Sequence, residues 1–112
     1  MALIVAMPLS AFAASASRTV RYSGYDYDCY AQCGVTTAYA STATECSSSR
    51  VRVRATVYNS AGAEIQWLDS GYLYDTGDVY FSSLAAHEKL VSEHFVSDVD
   101  GNTRLLTLTV VC

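Results

Sequence analysis

Charge is scarce in this chain, and what there is lies scattered. Charged residues make up 16% of the 112 residues, and the formal net charge is −4. Soluble domains usually carry about a quarter charged residues. No basic stripe is long enough to neutralise a series of phosphates, which argues against a nucleic-acid partner. The same lack argues against docking on an anionic membrane surface. Several signatures of chemistry are also missing. There is no C-x-x-C pair of the redox type, no G-x-S-x-G elbow and no H-E-x-x-H run. No motif for a cofactor is found, and no internal repeat or long linker interrupts the chain. No apolar stretch reaches the length needed to cross about 30 Å of hydrocarbon as a helix, so stable membrane insertion of the mature chain is not expected.

Apolar side chains, by contrast, are plentiful at 51%. That is enough surface to build a core and to exclude a disordered chain. The first residues read as an export leader. Residues 1–16 carry no charge, and an apolar run over residues 2–7 is followed by Pro8. Ala11-Phe12-Ala13 and Ala14-Ser15-Ala16 both fit the small-x-small rule of signal peptidase, although no basic segment precedes the run. Cleavage after Ala13 or Ala16 is expected, leaving residues 17–112 as a single secreted or envelope-associated β domain.

The four cysteines, Cys29, Cys33, Cys46 and Cys112, agree with export. An even number in a short exported chain reads as two disulfides. A bridge from Cys112 would close a long loop and contribute roughly 4 kcal/mol in chain-entropy terms. Cys112 is expected to bond Cys29 or Cys33, with the remaining one bonded to Cys46. The spacings of three, twelve and sixty-five residues match no zinc-knuckle pattern.

A period of two runs through most of the mature chain. Arg50, Arg52, Arg54 and Thr56 alternate with Val51, Val53, Ala55 and Val57, so one strand face is cationic and the other apolar. Asn59 to Gly62 supply turn chemistry, and a hairpin between residues 50–58 and 64–69 follows. Residues 19–28 alternate, with Gly24 expected as a bulge or bend. Residues 35–43, 72–74 and 79–82 suit further strands. The Asp98 to Asn102 turn predicts a second hairpin, with strands over 90–97 and 104–111. The fold expected is all-β: a small disulfide-stapled antiparallel β-sandwich. The alternatives are a small barrel, or a sheet with one short helix around residues 84–96.

Candidate chemistry is modest. His87 and His94 would share a face only on a helix, whereas on a strand their odd separation puts them on opposite faces. Asp98, Asp100 and Asn102 form a cluster of hard oxygen ligands of the kind Ca²⁺ takes, though an Asp-Gly hairpin turn needs the same residues. Nine tyrosines are the most suggestive feature. Tyr25 and Tyr27 share one strand face, as do Tyr72 and Tyr74. With acids nearby, such rings suit a protein or sugar surface. The Arg50, Arg52 and Arg54 row suits an anion or acidic glycan, or cross-strand pairs with Glu64 and Asp69. These residues make up the candidate binding surface. The function expected is a non-enzymatic exported binding module whose partner is a protein or glycan of the cell surface. A secreted antimicrobial protein (bacteriocin-like) or inhibitor is the alternative, and a small hydrolase is the third.

Overall fold

The computed structural model describes residues 14–98 and 100–112, so most of the expected leader, residues 1–13, lies outside the described residues. In chain order the strands are β1 Ala14–Tyr22, β2 Tyr25–Cys33, β3 Ala38–Thr44, β4 Arg50–Tyr58, β5 Glu64–Asp69, β6 Leu73–Tyr74, β7 Thr76–Phe81, β8 Lys89–Ser97 and β9 Thr103–Val111. They form two antiparallel sheets packed face to face. One has the order β1-β2-β3-β7. The other has the order β5-β4-β8-β9, with β6 paired to the start of β4. The all-β expectation and the packed antiparallel sheets are therefore observed.

Both expected hairpins form. Arg54 pairs with Asp69 and Thr56 with Trp67, with a bulge between Val57 and Tyr58. Lys89 to Ser97 pair with Val111 to Thr103 across the Asp98–Asn102 turn. Residues 84–96 hold no helix: Leu84 is a buried plug in the connection, and the strand begins at Lys89. Gly24 is neither a bulge nor a bend. Ser23 and Gly24 have φ of 52° and 82° and close a two-residue hairpin in which Tyr22 opposes Tyr25. Two positive φ values in a row match the right-handed twist of the flanking strands. Ahead of residue 17, Ala14, Ser15 and Ala16 pair with Cys33, Gln32 and Ala31.

The core forms where the apolar halves of the alternating strands meet. Val53, Ala55, Val57, Leu90, Leu108 and Val110 come from one sheet; Cys29, Ala31, Cys33, Ala38, Ala40, Val79 and Phe81 come from the other. Each would have to be solvated if its strand slipped by one residue, which locks the register. Small alanines on β2, β3 and β4 let the sheets approach, while Phe81 and Leu90 fill the space between them. A smaller cluster of Tyr27, Val51 and Val96 closes the other end.

One bridge forms, between Cys33 and Cys112, joining the end of β2 to the residue after β9 across 79 positions. This is one of the two partners expected for Cys112. The second expected bridge does not form: Cys29 and Cys46 are free and buried. Cys29 sits opposite Thr42, and Cys46 lies four residues further on. β3 ends at Thr44, so Cys46 lies in the connection to β4, where its sulfur meets Ser48 and Ser49 rather than Cys29.

Candidate functional site

The sandwich sends the expected binding residues to three different places. Tyr25 and Tyr27 do share a strand side, but it is the inner one. Tyr27 is fully buried, and only Tyr25, at the open end of β2, remains half exposed. Asp26 and Asp28 point the other way, paired across the sheet with Arg21 and Thr19. The tyrosine–aspartate patch expected on β2 is thus corrected: period-two alternation puts the tyrosines inside because the same side continues as Cys29, Ala31 and Cys33. The Tyr27 hydroxyl donates to Ser49 Oγ, which donates to the sulfur of Cys46. The Cys46 thiol, reached by the Ser49 and Ser48 hydroxyls, is pulled down to about 7. Cys29, enclosed in the core and beside the charge of Asp28, is pushed up to about 11.

Arg50, Arg52 and Arg54 do form one outward row on β4. Arg52 donates through Nε and Nη2 to both oxygens of Asp69, a forked geometry that fixes both side chains. That bond is the main reason the Asp69 carboxyl lies below its ordinary range. Glu64, the other expected partner, lies opposite Tyr58 and out of reach of the row. The aromatic residues of the neighbouring strands take its place. Arg54 stacks over Trp67 at 4.7 Å, Arg52 over Phe95 at 4.7 Å, and both Arg50 and Arg52 over Tyr72 at 5.7 and 5.6 Å. Lys89 repeats the arrangement over Tyr58. Trp67 remains 49% exposed and Tyr74 62%, so this face presents rings and guanidinium groups together. Phe95 and Trp67 were not anticipated as members. Their signal was register, since each faces an arginine or its neighbour across the ladder.

The outer face of the other sheet holds a second group that sequence reasoning missed. Tyr30 and Tyr39 pack ring against ring at 6.2 Å, and Tyr80 is exposed beside them. The Tyr39 hydroxyl lies 3.4 Å from the Asp78 carboxylate. Gln32, Thr37, Tyr39 and Tyr80 line a shallow depression of about 220 Å³.

His94 is sealed in the core at 1% exposure. Its Nδ1 lies 2.9 Å from Thr42 Oγ1 and its Nε2 2.7 Å from Ser92 Oγ. Thr42 donates to the carbonyl of Arg52. It therefore accepts from Nδ1–H, and Nε2 accepts from Ser92, a fully satisfied neutral ring. Burial pushes its pKa down to about 4, with a bond to the Ser41 backbone working weakly the other way. Ser92 and His94 resemble a nucleophile and its base, but both are closed to solvent, and among the described residues no acid orients the ring. His87 lies elsewhere, its Nδ1 2.7 Å from the Ala85 carbonyl and its Nε2 2.7 Å from the Gly34 carbonyl.

The Asp98 turn has the hairpin geometry. Asp98 Oδ1 accepts from the amides of Asp100 and Asn102, and Oδ2 accepts from Ser23 Oγ and Asn102 Nδ2. Partial burial would raise this carboxyl, but those donors outweigh it and hold it below its ordinary range. Gly101, at φ 87°, supplies the positive angle the turn needs. Both oxygens of Asp98 are thus used within the protein.

These features define a disulfide-linked β-sandwich with a cationic aromatic face. No protein family, curated protein or solved structure matches this chain.

Proposed function

We propose that the protein is an exported, non-enzymatic binding module and that its ligand is an acidic polysaccharide of the cell surface. The observation that carries this reading is the row of arginines interleaved with exposed rings on the outer face of β4, β5 and β6. The chain as a whole is acidic at −4, yet Arg50 and Arg54 project from this face without a salt bridge among the described residues. Guanidinium groups pair with carboxylates or sulfates in a fork, while Trp67, Tyr72 and Tyr74 offer flat apolar area against which a sugar ring stacks. Arg52 has a different part: tied to Asp69, it sets the spacing of the row. The antimicrobial, inhibitor and hydrolase readings gain no separate support. Both histidines meet carbonyl or hydroxyl groups, with no carboxylate partner among the described residues.

The test is retention of the purified protein on a polyuronate matrix and on neutral dextran. Retention on the polyuronate that falls as salt rises is expected, because the attraction is screened over about 10 Å at 0.1 M. Arg50→Gln/Arg54→Gln and Trp67→Ala should each weaken it at least tenfold with the melting temperature unchanged. Binding that survives both changes overturns the reading. So does retention on dextran that is lost with Tyr80→Ala, which would move the site to the opposite sheet.

A further inference from the structure

Three chemistry-bearing side chains, far apart in sequence, meet at one end of the sandwich. Cys33 closes β2, His87 lies in the connection before β8, and Cys112 follows β9; their ligand atoms all lie within 4.8 Å of one another. Cys33 is buried, His87 half-buried and Cys112 exposed. A depression of about 300 Å³, lined by Gly34, Val35, Ala86, His87 and Cys112, opens beside them. The cationic face takes no part in this cluster, whose chemistry is independent of any glycan bound there.

We propose that, when the Cys33–Cys112 bridge is opened, these three residues form a site for one zinc-class divalent cation. The opening step is a two-electron reduction by a dithiol. The S–S bond breaks, Cys33 and Cys112 each gain a proton, and the dithiol leaves as its own disulfide. Metal binding then releases both thiol protons to solvent, so the cation is held by two thiolates and one neutral imidazole. Two sulfurs and one nitrogen suit zinc in a tetrahedral arrangement, with the fourth position left to water or an outside ligand. Bond lengths of about 2.3 Å to sulfur and ~2.0–2.1 Å to nitrogen place tetrahedral ligand atoms roughly 3.4–3.8 Å apart. Once the bridge is reduced, side-chain rotation moves the two sulfurs apart and brings the imidazole to that spacing.

Two features set the cluster apart from a chance meeting. The first is that the backbone keeps it assembled without the bridge. The Cys112 amide donates to the Glu88 carbonyl at 2.7 Å, the Gly34 amide to Thr37 at 2.8 Å and the Leu84 amide to Thr36 at 2.8 Å. These bonds tie the three segments to one another independently of the sulfurs. The second is the setting of His87. Each ring nitrogen lies 2.7 Å from a backbone carbonyl, so the ring is held in one orientation beside the sulfurs. Nε2 lies against Gly34, the chain neighbour of Cys33, and is the nitrogen assigned to the metal. Nδ1 keeps its proton and its bond to Ala85, the backbone partner that orients metal-bound histidines. The depression beside Cys112 supplies the entry path and room for the fourth ligand.

The experiment uses the protein in a Cys29→Ala/Cys46→Ala background, reduced with a phosphine and handled without air. Titration with Co²⁺ should give thiolate-to-cobalt absorption and tetrahedral visible bands that saturate at one equivalent per chain. Zn²⁺ should abolish them. The oxidised protein should give none, Cys112→Ser should give none, and His87→Ala should bind at least tenfold more weakly. If reduction unfolds the chain, recovery of the strand circular dichroism on adding Zn²⁺ also supports the site. Absence of the thiolate bands on folded reduced protein overturns the proposal. Bands of undiminished affinity in His87→Ala, or an unfolded reduced chain that Zn²⁺ does not refold, overturn it equally.

Discussion

His94 makes the fold sensitive to mild acid. Its ring is enclosed between the sheets and held neutral, its pKa pushed down from 6.5 to about 4, chiefly because burial strips water from the cation. In the unfolded chain the same ring titrates near its ordinary value of about 6.5. Above that pH both states carry a neutral ring, and the contribution to stability is complete. Below it the unfolded chain takes up a proton that the folded chain refuses, so stability falls with pH until the folded pKa is reached. A gap of about 2.5 units, at ~1.4 kcal/mol each, caps the loss at about 3.5 kcal/mol, of which roughly 2 kcal/mol is gone by about pH 5. Asp69 and Asp98 are both lowered, so their stabilisation is full above the ordinary carboxylate range and is lost only as pH falls through it. The interval from about pH 5 to 6.5 therefore belongs to the histidine. The assay is urea unfolding across that interval in a His87→Gln/Cys46→Ala background, which removes the other groups that titrate there, with and without His94→Gln. The His94 protein should lose about 2 kcal/mol between about pH 7.5 and 5, and the glutamine variant, weaker throughout, should stay nearly flat. Parallel pH slopes in the two proteins would refute the reasoning.

Packing and covalent geometry set three further outcomes. At Gly77 a Cβ would sit 2.9 Å from Ser70 Oγ and 3.4 Å from the Val51 carbonyl. Ser70 Oγ is pinned by the Val53 amide and the Gly71 carbonyl, so Gly77→Ala should cost about 1–3 kcal/mol in thermal unfolding; an unchanged melting temperature would contradict it. Cys33→Ser/Cys112→Ser releases a loop of 79 positions and should lower denaturant stability by about 4–5 kcal/mol; a loss under about 1 kcal/mol would mean that the bridge constrains little. Exported material should begin at Ala14 on N-terminal sequencing, because Ala14 to Ala16 are paired in β1 and Ala14 and Ala16 pack on the core; a Ser17 start would count against the role given to that strand.

Where alternation was strong, the sequence was legible. Arginine against valine on β4, and Asp-Gly turn chemistry before β9, each specify a strand, its faces and its partner through local rules. The β1–β2 turn escaped because Ser23, a side-chain-bearing residue, takes a positive φ that is usually left to glycine, asparagine or aspartate. The direction of Tyr27 was readable from Asp26 and Asp28 alternating with it, but aromatic rings suit both a core and a surface, so composition alone pointed outward. The meeting of His87 with Cys33 and Cys112 leaves no trace in spacing. It exists only once two sheets have packed and three chain ends have come together. The same holds for the cation–π row: Arg54 and Trp67 become neighbours through β4–β5 register, which a turn with a bulge sets.

The only disulfide between the two sheets among the described residues lies at the Cys33–Cys112 end, while the chain itself crosses between the sheets at the other end, through residues 45–49 and at Asp75. At the opposite end the hairpin tips of β1–β2 and β8–β9 touch through Ser23 Oγ and the Asp98 carboxylate, 3.1 Å apart on the surface. A link of that kind is worth little in water, so thermal opening starts as fraying of these two hairpin tips, while the crossovers and the buried cluster of Tyr27, Val51 and Val96 hold the sheets together behind them. Amides near Tyr22, Tyr25 and Thr103 will then exchange with solvent well before those of Ala31 or Val110, giving the molecule one loose margin and one fixed one.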